Sequence, residues 1–239
     1  MKFSKRYTTT WHDTDLFRQV RPSQILVYMQ QTSNDHMASC GQDLDQLRDS
    51  QGLAFILSRI SVAYYKPLYA FEDIEVQTWT CPSRGYSIYR AYRVLRGEEV
   101  IAESYTTWAL LDIKTGMLCR YDPSLYPEFE DEEPPMIDLP TRFRLPQTAE
   151  LTEVGTRSIV YSDLDYNRHM NNTHYPDMLC DFLPIDRIQD VRGMTLSYLR
   201  EAALGDLLHI RACEKDGVYY FRTVNGSGDV CLEATVHLS

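Results

Sequence analysis

The chain has 239 residues, room for one large domain or two small ones. It is 44% hydrophobic and 24% charged, a balance that excludes a disordered chain. Its net charge of −10 argues against a nucleic-acid binder, and no stretch approaches the ~18 consecutive apolar residues of a membrane span.

The N-terminal Met1-Lys2-Phe3-Ser4-Lys5-Arg6 is basic and leads into a β-like segment. It lacks an apolar run of signal-peptide length, so a cytoplasmic location is expected. A helical pattern follows over 22–39, with Pro22 near the first turn and Ile25, Tyr28, Met29 and Thr32 on one face. Leu44 and Leu47, within 43–52, suggest a short extra helix. Residues 72–80, 85–96 and 99–112 are rich in Tyr, Val, Ile, Thr and Trp and read as strands. The acidic, proline-containing run from Pro127 to Pro135 reads as the start of a solvated connector over 128–147. Beyond it, Tyr175, Met178, Leu179 and Phe182 repeat the spacing of a buried helical stripe. Strands are then expected over 190–200, 206–214, 218–225 and 229–238. In the last of these, Val230, Leu232, Ala234, Val236 and Leu238 alternate with Cys231, Glu233, Thr235 and His237.

The chain is written twice. At an offset of 150, Asp13, Asp15 and Arg18 fall on Asp163, Asp165 and Arg168. Further on, an offset of 133 places Tyr65 on Tyr198 and Asp73 on Asp206, so the first half carries 17 extra residues, assigned to the region around Asp43–Gly52. Each half therefore reads as a strand, a long helix and an antiparallel sheet whose apolar face the helix covers. This α+β arrangement is the hotdog, here in tandem. One unit spans 1–127 and the other 148–239.

The densest chemistry lies in Asp163-Leu164-Asp165-Tyr166-Asn167-Arg168-His169-Met170-Asn171-Asn172. Asp165, Asn167 and His169 set a carboxylate, a carboxamide and an imidazole within five residues, at the start of a helical pattern. The free N–H groups of a helix start, here near Met170, Asn171 and Asn172, can hold an anion or polarise a carbonyl. Asp165 and Asn171 taken singly also suit a helix cap.

The run Ser162 to Tyr175 resembles the signature of the acyl-acyl-carrier-protein thioesterases, the plant chain-terminating enzymes and their bacterial relatives. Met194-Thr195-Leu196-Ser197-Tyr198-Leu199-Arg200-Glu201-Ala202 is similar to the strand of that family which carries an Arg-Glu pair. The resemblance covers nearly the whole chain. It implies a tandem hotdog fold and hydrolysis of fatty acyl thioesters on acyl carrier protein (ACP), with ACP as partner. No cofactor is implied beyond the phosphopantetheine that the substrate brings. Plant members carry a transit peptide, so the absence of one suggests a bacterial version. The implied catalytic set is Asp165, Asn167, His169 and Glu201. Plant members have a cysteine after the glutamate. Here that position is Ala202, so a Cys–His scheme cannot run through it.

Thioester hydrolysis needs a nucleophile, a cradle for the oxyanion and a proton for the leaving thiol. Glu201 or Asp165 is expected to act as base on a water, with His169 and Asn167 orienting it and the Met170–Asn172 amides stabilising the oxyanion. Direct carboxylate attack is the variant. At the positions of Asn167, His169, Asn171, Asn172 and Glu201, the first half has Phe17, Gln19, Arg21, Pro22 and Leu68. One active site per chain is therefore expected, in the second half. The first half is expected to hold the acyl chain, between helix 22–39 and strands near Phe55–Tyr64 and Tyr86–Tyr92. Six scattered cysteines and the spacing of His169 and His174 offer no metal motif. Arg84, Arg90, Arg93, Arg96, Arg142 and Arg144 are candidates for a basic patch that meets the carrier. An acyl-coenzyme A hydrolase and a non-catalytic acyl-binding protein are the alternatives, and either a monomer or a homodimer suits the fold.

Overall fold

The structure is a computed structural model that describes residues 2–140, 143, 145 and 150–239. The chain forms two compact units, Met1–Asp138 and Leu139–Ser239.

The first unit contains β1 (Phe3–Thr8), α1 (Pro22–Ser39), α2 (Leu44–Gln51), β2 (Leu53–Tyr64), β3 (Asp73–Arg84), β4 (Ser87–Arg96), β5 (Glu99–Asp112) and the two-residue β6 (Leu118–Cys119). Its strands are antiparallel in the order β1-β3-β4-β5-β2, with β6 on the end of β5. Helix α1 packs on β3, and the expected face, Ile25, Tyr28, Met29 and Thr32, is buried. Pro22 opens α1, where a missing N–H costs nothing. Helix α2 is the expected insertion. Asp43 and Gln46 form a reciprocal capping box, and Gly52 closes the helix in the left-handed conformation at φ 68°.

The second unit contains β7 (Thr152–Ser158), α3 (Tyr175–Cys180), β8 (Val191–Tyr198), β9 (Leu207–Lys215), β10 (Val218–Val224) and β11 (Val230–Leu238). Its antiparallel order is β8-β11-β10-β9-β7. Element for element, this is the order of the first unit, so the repeat seen in the sequence is a repeat of topology.

Three expectations change. Among the described residues, the second unit has no long helix: a 3-10 turn at Asn172–His174 leads into the six residues of α3. Tyr175, Met178 and Leu179 are buried as expected, but Phe182 lies beyond the helix, and Pro184 disfavours helical backbone in the residue before it. The sheet register between the halves is 134 rather than 133. Tyr65 N and Lys66 N both donate to Ile101 O, as Leu199 N and Arg200 N both donate to Cys231 O. Tyr65 thus matches Leu199, and Glu72 matches Asp206, which leaves 16 extra residues in the first half. Finally, part of the acidic run assigned to a solvated connector lies against β3. Trp79 Nε1 donates to Glu133 O at 3.0 Å, and Glu132 N donates to Thr80 O at 2.9 Å. The backbone of this run completes hydrogen bonds that β3 would otherwise offer to water.

Gly155 on β7 sits beneath the ring of Phe182, where an added Cβ would come within 2.5 Å of Cε1. Gly155→Val is expected to force the ring aside and cost about 1–3 kcal/mol in urea unfolding, the scale of overpacking. Gly226→Val, at a turn with open space around it, is expected to cost less.

Candidate functional site

The residues singled out in the second half gather on one loop and on the segment that follows β8. A 3-10 turn at Tyr161–Asp163 buries the Asp163 carboxylate. Its Oδ2 accepts from Val160 N at 3.0 Å and its Oδ1 from Arg157 Nη2 at 2.5 Å, with His174 Nδ1 at 3.9 Å. Burial pushes this carboxyl up, but the Val160 amide and the Arg157 guanidinium outweigh it and hold the group below the ordinary carboxylate range. The chain then turns tightly. Asp165 N donates to His169 O at 2.9 Å, Arg168 N donates to Asp165 O at 3.0 Å, and Arg168 takes a φ of 69°. Asp165 Oδ1 accepts from Asn167 N at 2.8 Å and more weakly from His169 N at 3.4 Å.

This turn is then tied to a distant part of the chain. His169 forms a β-bridge with Ala203, and Met170 N donates to Ala202 O at 2.8 Å. The pairing sets the His169 imidazole beside Glu201, with Nε2 3.1 Å from Oε2. The side chains are 33% and 63% exposed, so the pair is open to a ligand from outside the unit. Asn167 lies exposed on the turn, and Asp165 is half-buried beneath it.

Of the three backbone amides expected to form an oxyanion cradle, two are already committed. Met170 N bonds Ala202 O, and Asn171 N bonds Asp163 O at 2.8 Å. The Asn171 side chain caps the next turn, its Oδ1 accepting from Thr173 N and Thr173 Oγ1. Asn172 begins that 3-10 turn, so the turn gives its N–H no partner. Its carbonyl is fixed by the hydroxyl of the half-buried Tyr198 at 2.9 Å. Arg157 and Tyr198 are the supports that sequence reasoning passed over. Neither belongs to the polar cluster itself: Arg157 reaches back from the end of β7, six residues before Asp163, and Tyr198 comes from the end of β8, 26 residues beyond Asn172.

The first half repeats the backbone without the chemistry. Asp15 N donates to Gln19 O at 2.8 Å, Arg18 N to Asp15 O at 3.1 Å, and Arg18 has a φ of 65°. Asp15 Oδ1 accepts from Phe17 N and Gln19 N, and Val20 N reaches Leu68 O. Leu68 therefore corresponds to Ala202, and the counterpart of Glu201 is Pro67 rather than Leu68. Where the second half has Asn167, His169, Asn172 and Glu201, the first has Phe17, Gln19, Pro22 and Pro67.

A thiol nucleophile gains no support. Ala202 is buried beside the pair, and Cys231 is buried, with burial pushing its thiol pKa up. Three members of the expected arginine patch are already engaged, while Arg84 is exposed. Arg90 is buried, Arg93 is paired with Glu103, and Arg96 is held by Glu72 and Glu99. Arg142 and Arg144 lie outside the described residues. No helix among the described residues is long and apolar enough to cross a membrane.

Family models match both halves: acyl-ACP thioesterase N-terminal domain over residues 1–129 and acyl-ACP thioesterase C-terminal domain over residues 148–234. A chloroplastic palmitoyl-acyl carrier protein thioesterase of Cuphea hookeriana is 23% identical over 199 residues, 77% of this chain and 48% of that protein. Another, from Arabidopsis thaliana, is 20% identical over 228 residues, 86% of this chain and 53% of that protein. The chain thus spans about half the length of the curated relatives it matches. Among solved structures, an acyl-ACP thioesterase from Bacteroides thetaiotaomicron superposes with a TM-score of 0.90 at 19% identity, covering 100% of this chain and 98% of that one. The 12:0-ACP thioesterase from Umbellularia californica gives 0.87 at 18% identity, covering 100% and 97%. At these identities the likeness is one of fold.

The buried Asp163 carboxylate anchors the loop, so its removal is expected to be costly. Asp163→Asn is expected to lose about 3 kcal/mol in urea unfolding at neutral pH, the scale for stripping one partner from a buried ion pair. The folded-state pKa lies below the unfolded one, so the stabilisation is complete above the ordinary carboxylate range and fades as pH falls through the lower, folded value. The gap between wild type and variant should therefore close in acid.

Proposed function

We propose that this chain, which belongs to the acyl-ACP thioesterase family, hydrolyses fatty acyl-ACP to free fatty acid and ACP, ending chain elongation on the carrier. The observation that carries this reading is the His169–Glu201 pair, 3.1 Å apart, built onto a turn that the first half reproduces without either residue. In this reading both units are hotdogs, one holding the acyl chain and the other performing the chemistry.

Glu201 takes a proton from a water, and that water attacks the acyl carbonyl carbon. His169 Nε2 fixes the carboxylate, and the Asn167 side chain, on the exposed side of the turn, aligns the thioester. The Asn172 amide stabilises the oxyanion; one donor of this kind is worth roughly 10²–10³ in rate. As the tetrahedral intermediate collapses, the C–S bond breaks and the proton on Glu201 passes to the phosphopantetheine sulfur. Asp165 is a positioning residue, because its Oδ1 is occupied by the amides of Asn167 and His169. In the first unit, the cavity lined by Met37, Leu44, Phe55, Ile88 and Trp108 offers space for the acyl chain.

Two measurements test the reading. Glu201→Gln and His169→Ala are each expected to lower kcat on acyl-ACP by at least about 10²-fold with the fold intact; full activity in either would remove that residue from the mechanism. The same acyl chain presented on ACP and on coenzyme A should be hydrolysed with higher kcat/KM on ACP. A preference for coenzyme A would shift the reading to the other carrier, and no hydrolysis of either would leave a binding protein.

A further inference from the structure

The cavity of the first unit contains a charge that its surroundings do not answer. It is a cleft open to solvent at its mouth, and most of its wall is apolar. Arg90 also lines it. This residue lies on β4 in an inward position between Ile88 and Tyr92, where the alternation of the strand calls for an apolar side chain, and only 7% of it is exposed.

The described partners of Arg90 are few and neutral. Nη1 lies 3.1 Å from His36 Nδ1 and donates to Thr78 Oγ1 at 3.2 Å, and the guanidinium sits 5.0 Å from the centre of the Phe129 ring. His36 brings no second charge. Burial, with Arg90 alongside, pulls its pKa down to about 4, so near neutral pH the ring is uncharged and can accept at Nδ1. Among the described residues, no carboxylate forms an ion pair with Arg90, whose hydrogen bonds to His36 and Thr78 both run from Nη1. A guanidinium carries five N–H donors and stays charged. Burying one without a counter-charge is costly, and an apolar residue at the same place is often neutral or stabilising. Met37, Leu44, Phe55, Ile88 and Trp108 give the wall an apolar stretch that suits a hydrocarbon chain, and Ser33, Asn34 and Thr80 add polar groups to it.

We infer that this cavity receives an apolar chain ending in a carboxylate, and that Arg90 binds that end. Two sources share this chemistry. One is a free fatty acid that enters head first. The other is an acyl group whose far end carries a carboxylate, and this source rests on the thioesterase reading above. The cavity is then a selector for the end of the chain as well as its length, with Phe129 over the guanidinium and His36 neutral behind it.

The test uses the full chain and calorimetric titration with saturated monocarboxylates and their methyl esters over a series of chain lengths. It is run beside hydrolysis of matched methyl-ended and ω-carboxy acyl-ACP. Free-acid binding is expected to exceed methyl-ester binding by at least about tenfold, with the difference lost in Arg90→Met and kept in part by Arg90→Lys. That result makes the free acid the source. A kcat/KM preference for ω-carboxy acyl-ACP that disappears in Arg90→Met makes the far end of the acyl chain the source. Equal affinity for acid and ester, together with no preference for the ω-carboxy substrate, overturns the proposal in the wild-type protein, whatever the folding of the variants. Failure to hydrolyse any acyl-ACP overturns the thioesterase reading and leaves the titration to decide for Arg90.

Discussion

The short backbone ladder between His169–Met170 and Ala202–Ala203 brings two separate pieces of chain together in the candidate site. The bridge at His169 and the Met170 N to Ala202 O bond set the register between the loop and the end of β8. A slip of one residue would turn Glu201 away from the imidazole, because neighbouring side chains in an extended segment point to opposite sides. Everything else in the loop supports that register. Asp165 closes the turn from inside, Asp163 ties it to Val160 and Arg157, and Tyr198 fixes the carbonyl of Asn172.

The repeat separates folding from chemistry. Both halves use an aspartate to close the same turn, both place an arginine at positive φ within it, and both draw the next strand segment alongside. These features are what the backbone requires. An arginine with φ near 65° meets the steric cost of the left-handed region, and the enclosing hydrogen bonds hold it there. Among the residues that differ at matched positions, Asn167, His169, Asn172 and Glu201 have side chains or a free amide that can act on a ligand. In the first half, Pro22 removes even the amide.

Much of this was legible in the sequence. The stripe of α1, the long strands of both sheets and the cluster at 165–172 follow from periodicity and spacing, which are local properties. What remained hidden depends on the partner segment. The offset between the sheets came out one residue short because adjacent registers look alike until a ladder selects one. The second helix was overextended because the apolar spacing runs on to Phe182, past the point where the chain bends toward Pro184. The acidic run from Phe129 to Glu133 looks solvated by composition, yet its backbone completes β3. Arg90 looked like a surface charge; only the strand's inward alternation, with Ile88 and Tyr92 on either side, could have marked it as buried.

The central claim is that His169 and Glu201 work as one unit. A double-mutant cycle on acyl-ACP hydrolysis with His169→Gln, Glu201→Gln and the double variant measures this directly. If the pair acts together, the double variant should be about as slow as the slower single variant, since residues that act as a unit are strongly non-additive. Losses that multiply, so that the double variant falls by the product of the two single effects, would contradict the account.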